Sequence, residues 1–431
     1  MLVEFRVKNF LSIQDEQVLS LVANSEKEHE NTNTFQISDN LKLLKSSTIY
    51  GPNAAGKSNF IKALFRMQEI IQKSAKTQRN VKFPIEPFLL GNNENEPTEF
   101  EITIFVKETQ TRYQYGFSTT QEKIYEEWLF ACPNTTNRTQ KWFSRIYNEK
   151  KDDYDYEFGN KFTGEKKLWQ TSTRDNALFL STAIQLNSKQ LRPIFDWFDK
   201  LKVSVNGSFY DGQFLTAIMF KEMMHKSILL NLFEVADFDI KDILIEDKDI
   251  SAKDLPSNIP DNLKEMLLQD FADKKFIDIK FLHQKQNSNE TISFDIKSES
   301  DGTQHFFSLI GPFVDILKNG GILIIDELHN HLHPLMTKFL IELFHNSKMN
   351  TKNAQLIFTT HETSILKQDI FRRDQIWFCE KENKATILYP LSDFYKPRRE
   401  TNLESAYLLG KYGALPYFKD ICMAMENGNE S

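Results

Sequence analysis

The chain has 431 residues, of which 40% are hydrophobic and 26% charged, and its formal net charge is −7. A chain of this length exceeds one ordinary core, so we expect two lobes or domains, and the composition excludes an intrinsically disordered protein. The mild acidity argues against a surface uniformly dedicated to nucleic acid, although a local basic patch is compatible with it.

The cysteines and the apolar runs indicate the compartment. Cys132, Cys379 and Cys422 lie far apart and form no CxxC pair, which predicts reduced structural thiols. No apolar run reaches the length of a membrane span, and the charged N-terminus is unlike a signal peptide. We therefore expect a cytoplasmic protein that does not enter a membrane.

The N-terminal segment predicts two strands, a loop, and then a strand followed by a helix. Residues 3–10 alternate apolar and polar side chains, and residues 17–22 would pair with them as a second strand. Residues 24–40 are polar and predict a surface loop. Residues 47–50 then predict a strand, and residues 59–75 a helix.

Between that strand and that helix lies the pattern Gly-x-x-x-x-Gly-Lys-Ser. Glycines at this spacing let backbone N–H groups surround phosphate oxygens at a helix N-terminus, so the pattern predicts a nucleoside triphosphate site rather than an ordinary glycine-rich turn. Lys57 would reach the terminal phosphates and Ser58 would ligate Mg²⁺. The predicted binding residues are Gly51, Pro52, Asn53, Ala54, Ala55, Gly56, Lys57, Ser58 and Asn59.

The middle of the chain predicts an antiparallel sheet followed by a separate lobe. Residues 81–158 contain short alternating runs typical of antiparallel strands. Residues 177–234 change to helical spacing, residues 258–271 suggest another helix, and residues 276–294 contain two strands. We therefore expect an inserted, partly helical lobe.

Two acids end an apolar run near the C-terminal part of the chain. Residues 321–327 predict a buried central strand whose tip carries Asp326 and Glu327. Asp326 would hold Mg²⁺ and Glu327 would polarise the attacking water. Alone, such a run is often a strand that meets the surface, but the phosphate loop in the same chain favours the catalytic interpretation.

Two further segments flank the acids. Residues 298–304 contain Ser300 and Gly302 before a helical pattern, which fits an anion site or, for this segment alone, a plain helix cap. Residues 355–361 predict a strand that ends in His361. A neutral imidazole there can contact a γ-phosphate, although an isolated histidine of this kind would more often be structural.

The order of these motifs resembles the ATP-binding cassette (ABC) ATPases, and within them the group of SMC, RecF and OLD proteins. A closer resemblance is to the RloA-like AAA-type ATPases of restriction and anti-phage loci. That resemblance rests on residues 1–10, 44–64, 300–303, 332–334, 359–362 and 407–416.

The resemblance implies an α/β fold, namely a P-loop ABC-type ATPase head with a mixed sheet and an antiparallel β subdomain, plus an inserted helical lobe. It implies ATP and Mg²⁺ as cofactors. It also implies a composite site, in which Lys57, Asp326, Glu327 and His361 of one head meet Ser300 and Gly302 of a second head in a homodimer or higher homo-oligomer. Residues 331–334 take the place of the family's D-loop, with His331 where the family usually has Ser.

The glutamine that senses Mg²⁺ in this family has no clear match. Residues 178–185 form an apolar run that ends in Gln185 before the helical lobe, so Gln185 is the expected cofactor and metal contact. An ordinary polar helix residue explains it equally well. His329, His331 and His333 form an H-x-H-x-H run that would suit zinc only if it formed a strand, which the following Pro334 disfavours.

We expect domain boundaries near residues 165, 290 and 395. Residues 1–165 and 291–395 would form the ATPase head, residues 166–290 the inserted lobe and residues 396–431 a tail. The tail, with Arg398 and Arg399, would contact a partner or DNA, or else cap a sheet edge.

The leading functional hypothesis is a dimeric ATP switch in anti-phage defence that senses DNA or a phage protein. The OLD nucleases follow a glutamate with Asp-x-Asp, whereas Glu380 here has no such partner, so nuclease activity is expected in a separately encoded Toprim or HNH effector. The alternatives are an SMC- or RecF-like DNA-binding ATPase, an OLD-like nuclease, a transporter ATPase and an AAA+ motor.

Overall fold

The computed structural model describes residues 1–205, 212–249, 275–394 and 402–416. They divide into two compact units. The first unit contains residues 1–205, 316–330, 340–394 and 402–416, and the second contains residues 212–249, 275–315 and 331–339. The helix predicted at residues 258–271 and the pair Arg398 and Arg399 lie outside the described residues.

Strands and helices are numbered here in chain order. The strands are β1 (Leu2–Lys8), β2 (Gln17–Ser20), β3 (Thr34–Ser38), β4 (Leu41–Leu44), β5 (Ser46–Tyr50), β6 (Thr98–Val106), β7 (Thr111–Thr119), β8 (Ile124–Pro133), β9 (Gln140–Asn148), β10 (Asp153–Phe158), β11 (Leu201–Ser204), β12 (Asp242–Asp249), β13 (Lys275–Gln284), β14 (Thr291–Asp295), β15 (Ile322–Ile325), β16 (Gln355–Thr360), β17 (Ile376–Glu382) and β18 (Ala385–Pro390). The helices are α1 (Glu30–Asn33), α2 (Lys57–Lys73), α3 (Lys166–Ser172), α4 (Phe179–Gln185), α5 (Arg192–Asp199), α6 (Gly212–Lys221), α7 (Met223–Val235), α8 (Asp301–Asn319), α9 (Pro334–His345) and α10 (Leu403–Leu408). Within the described ranges, no helix is both long and apolar enough to cross a membrane.

The first unit is built on a sheet of six strands in the order β11-β15-β16-β5-β17-β18. Its first five strands run parallel, and β18 returns antiparallel to β17. Every residue of β5, β15 and β16 is buried, as expected for central strands of a parallel sheet that is covered on both faces. Parallel strands bring their carboxyl ends to one edge, which is where the predicted site residues follow them.

A second sheet of the first unit is antiparallel, in the order β10-β9-β8-β7-β6-β1-β2. The predicted pairing of residues 17–22 with residues 3–10 is confirmed, with Phe5 opposite Leu19. Helix α2 packs on this sheet through its apolar face, where the rings of Phe60 and Phe5 lie 5.4 Å apart edge to face. The predicted fold class, an α/β P-loop head of ABC type with an antiparallel β subdomain, is confirmed by this topology.

The boundary predicted after residue 165 differs from the division that the structure shows. Helices α3, α4 and α5 and strand β11 belong to the first unit. Strand β11 pairs in parallel with β15, and the Gln68 side chain donates hydrogen bonds to the carbonyl oxygens of Phe198 (2.7 Å) and Leu201 (2.9 Å). Contacts between residues far apart in the sequence do not change the local composition, so the sequence did not indicate this boundary.

Two local predictions were wrong in part. The expected surface loop at residues 24–40 contains α1 and β3, because the buried Asn33 amide donates to the oxygens of Ile370 and Gln375, both at 2.8 Å. The sequence also predicted no element between residues 234 and 258, where β12 forms and pairs with β13.

The second unit contains the three-stranded antiparallel sheet β12-β13-β14 and has an aromatic core. The rings of Phe233 and Phe306 lie 4.9 Å apart, edge to face. Helices α6 and α8 cross closely at Gly311, where a Cβ would lie 2.3 Å from the Thr216 hydroxyl oxygen. Residues 291–315 belong to this unit, whereas the sequence placed them in the ATPase head.

The described tail, residues 402–416, packs on the hairpin formed by β17 and β18. The rings of Tyr407 and Tyr412 stack on Phe378 at 5.4 and 5.6 Å. The Glu380 carboxylate accepts a hydrogen bond of 2.7 Å from the backbone N–H of Ala414. This segment therefore caps the sheet edge, as one of the two interpretations of the tail predicted.

Candidate functional site

The phosphate loop lies between β5 and α2, as the sequence predicts. A Cβ on Gly51 would lie 2.1 Å from the Cys379 carbonyl oxygen, and one on Gly56 would lie 1.9 Å from the Thr386 hydroxyl oxygen. Gly56 also has φ 110°, a conformation that suits glycine. A larger residue at either position would clash with Cys379 or Thr386, so both positions require glycine. The same close contacts fix the conformation of the loop.

Lys57 is the first residue of α2 and is almost fully buried. Its Nζ donates to the carbonyl oxygens of Gly51 at 2.7 Å and Pro52 at 3.0 Å, and burial lowers its pKa. Ser58 follows it in the first helical turn. The partial positive charge of a helix N-terminus therefore adds to an ammonium group beside the loop.

This loop and Glu327 line one cavity of about 350 Å³. Its lining also includes Lys381, from the end of β17. The residues that line it are Asn53, Ala54, Ala55, Gly56, Lys57, Ser58, Asn59, Glu327 and Lys381.

The two acids follow the buried strand β15. Asp326 is buried, and its Oδ1 accepts a hydrogen bond of 2.6 Å from the Thr359 hydroxyl. The same hydroxyl oxygen accepts the backbone N–H of Glu327 at 2.8 Å. Glu327 adopts φ 58°, which is uncommon outside glycine and is often found at functional sites. Successive strand residues face opposite ways, so this turn allows both acids to serve one edge of the sheet.

Asn330 fixes the Glu327 carboxylate from the next turn of the chain. Its Nδ2 donates to Glu327 Oε2 at 2.7 Å. Glu327 therefore has a defined position at the mouth of the phosphate loop, and among the described residues no protein group donates to its other carboxylate oxygen.

His361 follows β16 and pairs with His329. Their Nε2 atoms lie 3.0 Å apart, and His329 Nδ1 lies 3.0 Å from the Thr360 hydroxyl oxygen. Burial first, and then the nearby His361, lower the pKa of His329 to about 4, so His329 is neutral near pH 7. Because Thr360 Oγ1 already accepts from the Glu362 backbone N–H at 3.0 Å, its own proton is assigned to His329 Nδ1. His329 Nε2 then donates to His361 Nε2.

The histidine run does not act together as a metal site. His329 contacts His361, whereas the ring of His331 lies 6.0 Å from that of His305. Within the described residues, the one group with three candidate ligand atoms close together is Glu28, His29 and Asp369, outside this run.

Ser300 and Gly302 lie in the second unit, at the start of α8. The helix begins at Asp301, inside the segment 298–304 that the sequence placed before the helix, so Ser300 occupies the cap position. Its hydroxyl accepts the Thr303 backbone N–H at 3.2 Å. A Cβ on Gly302 would lie 3.0 Å from the carbonyl oxygen of His331, so the start of α8 packs on the first residue of the segment 331–334 that takes the place of the D-loop. The described contacts are those of a helix cap, and a nucleotide role stays a prediction.

The expectation for Gln185 requires correction. This residue is exposed at the end of α4, which is a helix and not a strand that leads to the site. Helix α4 packs at the far end of α2, where the Ser181 hydroxyl donates to the Ile71 carbonyl oxygen at 2.6 Å. At 1.5 Å per residue, Ile71 lies roughly 21 Å along α2 from Lys57. The structure therefore does not bring Gln185 to the phosphate loop.

Two residues near the site, Ser12 and Thr386, were not identified from the sequence. The Thr386 hydroxyl donates to the Ala55 carbonyl oxygen at 2.8 Å and lies 2.7 Å from the Ser12 hydroxyl. The Asn59 amide donates to the same Ser12 oxygen at 2.7 Å. These residues come from opposite ends of the chain, and only folding brings them behind the loop. Thr359, by contrast, was visible as a hydroxyl at a strand end.

Comparison with known proteins gives one family and several distant similarities. Residues 47–367 match the family described as "AAA domain, putative AbiEii toxin, Type IV TA system". The uncharacterized protein MJECL43 of Methanocaldococcus jannaschii is 26% identical over 122 residues, which are 27% of this chain and 31% of that protein. The chain thus spans about a third of the length of this curated relative.

Among solved structures, the chain is similar to the SMC head domain from Thermotoga maritima, with a TM-score of 0.40 and 12% identity over 90% of this chain and 98% of that one. It is also similar to the recombination mediator RecF bound to ATP, with a TM-score of 0.33 and 12% identity over 90% and 99%. The family match covers most of the chain, including the phosphate loop, Asp326, Glu327 and His361, and the chain therefore belongs to the AAA domain family of putative AbiEii toxins.

Proposed function

We propose that the protein binds and hydrolyses Mg²⁺-ATP at the phosphate loop. The observation that carries the proposal is the single cavity shared by the loop and Glu327, with the buried Asp326 directly before Glu327 in the chain. The glycine cradle and Lys57 fit a triphosphate, and the hard oxygen ligands Ser58 and Asp326 fit Mg²⁺. The metal, when bound, would offset phosphate charge.

The chain's own residues supply the remaining chemistry. Lys57 would exchange its contacts with Gly51 and Pro52 for phosphate oxygens. Glu327, held through one oxygen by Asn330, would accept a proton from the attacking water through the other. His361, held by His329 through Nε2, would donate its Nδ1–H to the terminal phosphate.

A second copy of the chain would complete the site with Ser300 and Gly302. The exposed cap of α8 offers backbone N–H groups at a long helix N-terminus, and an anion is stabilised there. ATP held between two heads would join them, and hydrolysis would release them. Because ATP would control whether two heads are joined, and not only be turned over, the protein would act as a switch.

We place this switch in anti-phage defence, where it would control a separately encoded Toprim or HNH effector in response to DNA or a phage protein. The family's description as part of a toxin–antitoxin system supports a role of this kind. Glu380 is the one candidate for a nuclease glutamate. Its carboxylate accepts a hydrogen bond from the backbone N–H of Ala414 in the tail, which is a structural contact.

Mixing two inactive variants tests the composite site. Lys57→Ala and Ser300→Arg should each abolish ATP hydrolysis, because each removes one half of every site. Mixed dimers contain one intact site, so an equimolar mixture should recover about a quarter of wild-type activity. Steady-state phosphate release measures this, and thermal unfolding verifies that each variant is folded.

Lys73→Ala is the matched control, since Lys73 lies exposed at the other end of α2 and should leave activity unchanged. A mixture that stays as inactive as its components would contradict the composite site. Unchanged nucleotide binding and hydrolysis in the Lys57→Ala variant would contradict the role assigned to Lys57.

His329 should act as a positioning residue for His361. Removing the side chain with His329→Ala loses one hydrogen bond to a functional group, so kcat should fall about 2- to 10-fold with KM for ATP unchanged. His329→Gln, whose amide can still donate, should recover most of the rate. His225→Ala serves as control, because the His225 ring pairs with Glu222 in the second unit and does not line the phosphate-loop cavity. A change in KM alone would contradict this role.

A further inference from the structure

A second cavity of the first unit lies at the opposite edge of the parallel sheet from the phosphate loop. It opens where three adjacent strands begin, at Lys200 before β11, at Gly321 before β15 and at Asn353 before β16. Its volume is about 490 Å³, within the range of small-molecule sites. We call it the amino-edge pocket, and nothing in the proposed ATPase cycle uses it.

The amino-edge pocket is lined by five cations and two carboxylates. The cations are Lys107, Lys189, Arg192, Lys200 and Lys352, and the carboxylates are Glu108 and Asp196. Lys200 pairs with Glu108 at 3.0 Å, but the other four cations have no carboxylate partner among the described residues. The five cations come from three separate parts of the chain, at residues 107, 189–200 and 352, so the excess positive charge is a property of the pocket and not of one lysine-rich stretch.

This charge contrasts with the rest of the molecule. The whole chain has a formal charge of −7, whereas the pocket lining sums to +3 (five basic side chains minus two acidic ones). A concave surface focuses such a charge, and nearby apolar walls lower the dielectric constant around it. The buried side chains of Phe105, Trp197 and Ile322 provide those walls.

The floor of the pocket is fixed by backbone contacts. Gly321 has φ 141°, and a Cβ there would lie 2.6 Å from the Lys200 carbonyl oxygen. The Ile322 backbone N–H donates to the same oxygen at 3.2 Å, and the Gly321 carbonyl accepts the Gln355 backbone N–H at 2.9 Å. These contacts fix the strand ends that form the floor of the pocket.

We propose that the amino-edge pocket binds a small phosphate-bearing molecule, such as a nucleotide, as a second ligand. Lysine and arginine are the side chains that bind phosphate, and the apolar walls suit the base or another apolar part of the ligand. Strand β15 begins at the pocket, and Asp326 and Glu327 follow its last residue, about 13 Å from its first. A ligand there acts on the strand that delivers both acids of the ATP site.

The test uses the full-length Lys57→Ala protein, in which the phosphate loop no longer binds nucleotide. Isothermal titration with AMP and with inorganic pyrophosphate should show saturable binding at one site per chain. Reversing charge with Lys189→Glu and Arg192→Glu should weaken this binding about tenfold or more. Both side chains are exposed, and an acid at the first position of α5 is compatible with the helix dipole, so the fold should be retained.

The matched control is Lys161→Glu with Lys167→Glu, which makes the same charge change at exposed lysines outside the pocket. Absence of saturable binding, or equal weakening by the control pair, would overturn the proposal. So would tighter, pocket-dependent binding of a single-stranded oligonucleotide than of AMP, which would assign the surface to nucleic acid. Because Lys57 is absent throughout, these outcomes do not depend on the proposed ATPase.

Discussion

Glu327→Gln should lower the turnover of ATP by about 10²- to 10⁴-fold while leaving ATP binding intact. The amide keeps the size of the side chain and can still accept the hydrogen bond from Asn330, but it cannot take a proton from water. The buried Asp326, the loop and Lys57 are unchanged, so the nucleotide is still held. Single-turnover hydrolysis and equilibrium binding of a fluorescent ATP analogue separate the two effects.

The same variant should accumulate an ATP-dependent dimer, because hydrolysis is the step that releases the heads. Size-exclusion chromatography with light scattering, with and without ATP, measures the mass. Glu149→Gln, at an exposed turn of the antiparallel sheet, is the control and should behave as wild type. A Glu327 variant that stays monomeric with ATP would contradict the cassette mechanism, and one that hydrolyses normally would contradict the assigned base.

Glu127→Ala should destabilise the first unit by about 3–5 kcal/mol, because it leaves a buried arginine without its countercharge. Glu127 is fully buried and accepts hydrogen bonds from the Tyr115 hydroxyl (3.0 Å) and from the backbone N–H groups of Phe179 (2.6 Å) and Leu180 (2.9 Å) at the start of α4. Arg145, also fully buried, lies 3.8 Å away. Burial raises the pKa of Glu127, and Arg145 opposes that shift. Urea unfolding followed by tryptophan fluorescence measures the loss.

Glu126→Ala is the matched control for this change. Glu126 is the preceding residue on β8, but it is exposed, because successive side chains of a strand face opposite ways. We expect its replacement to alter the free energy of unfolding by less than about 0.5 kcal/mol. Equal losses for Glu126 and Glu127 would show that the buried network contributes nothing specific.

What the sequence predicted well is local in the chain. The phosphate loop, the strand before the two acids and the strand before His361 are contiguous patterns whose chemistry depends on neighbours in sequence. The structure places Lys57 and Glu327 around one cavity as expected. The antiparallel sheet was equally visible, since its strands alternate and follow one another.

What the sequence did not predict depends on long-range contacts. Gln185 was assigned to the site because a short apolar run does not distinguish a strand from a helix, and α4 is a helix at the far end of α2. The lobe boundary was placed too early because only the pairing of β11 with β15 ties residues 201–204 to the first unit. The contact between His329 and His361 joins two turns that are 32 residues apart.

The hairpin of β17 and β18 touches the phosphate loop with one part and the tail with another. Thr386 of β18 contacts the backbone of Ala55, and Glu380 of β17 holds the backbone of Ala414. A two-residue turn at Asn383 and Lys384, both with positive φ, joins the strands tightly. The tail and the phosphate loop therefore contact one and the same hairpin, so a displacement of residues 402–416 would reach the backbone of Ala55 through two hydrogen bonds and one tight turn.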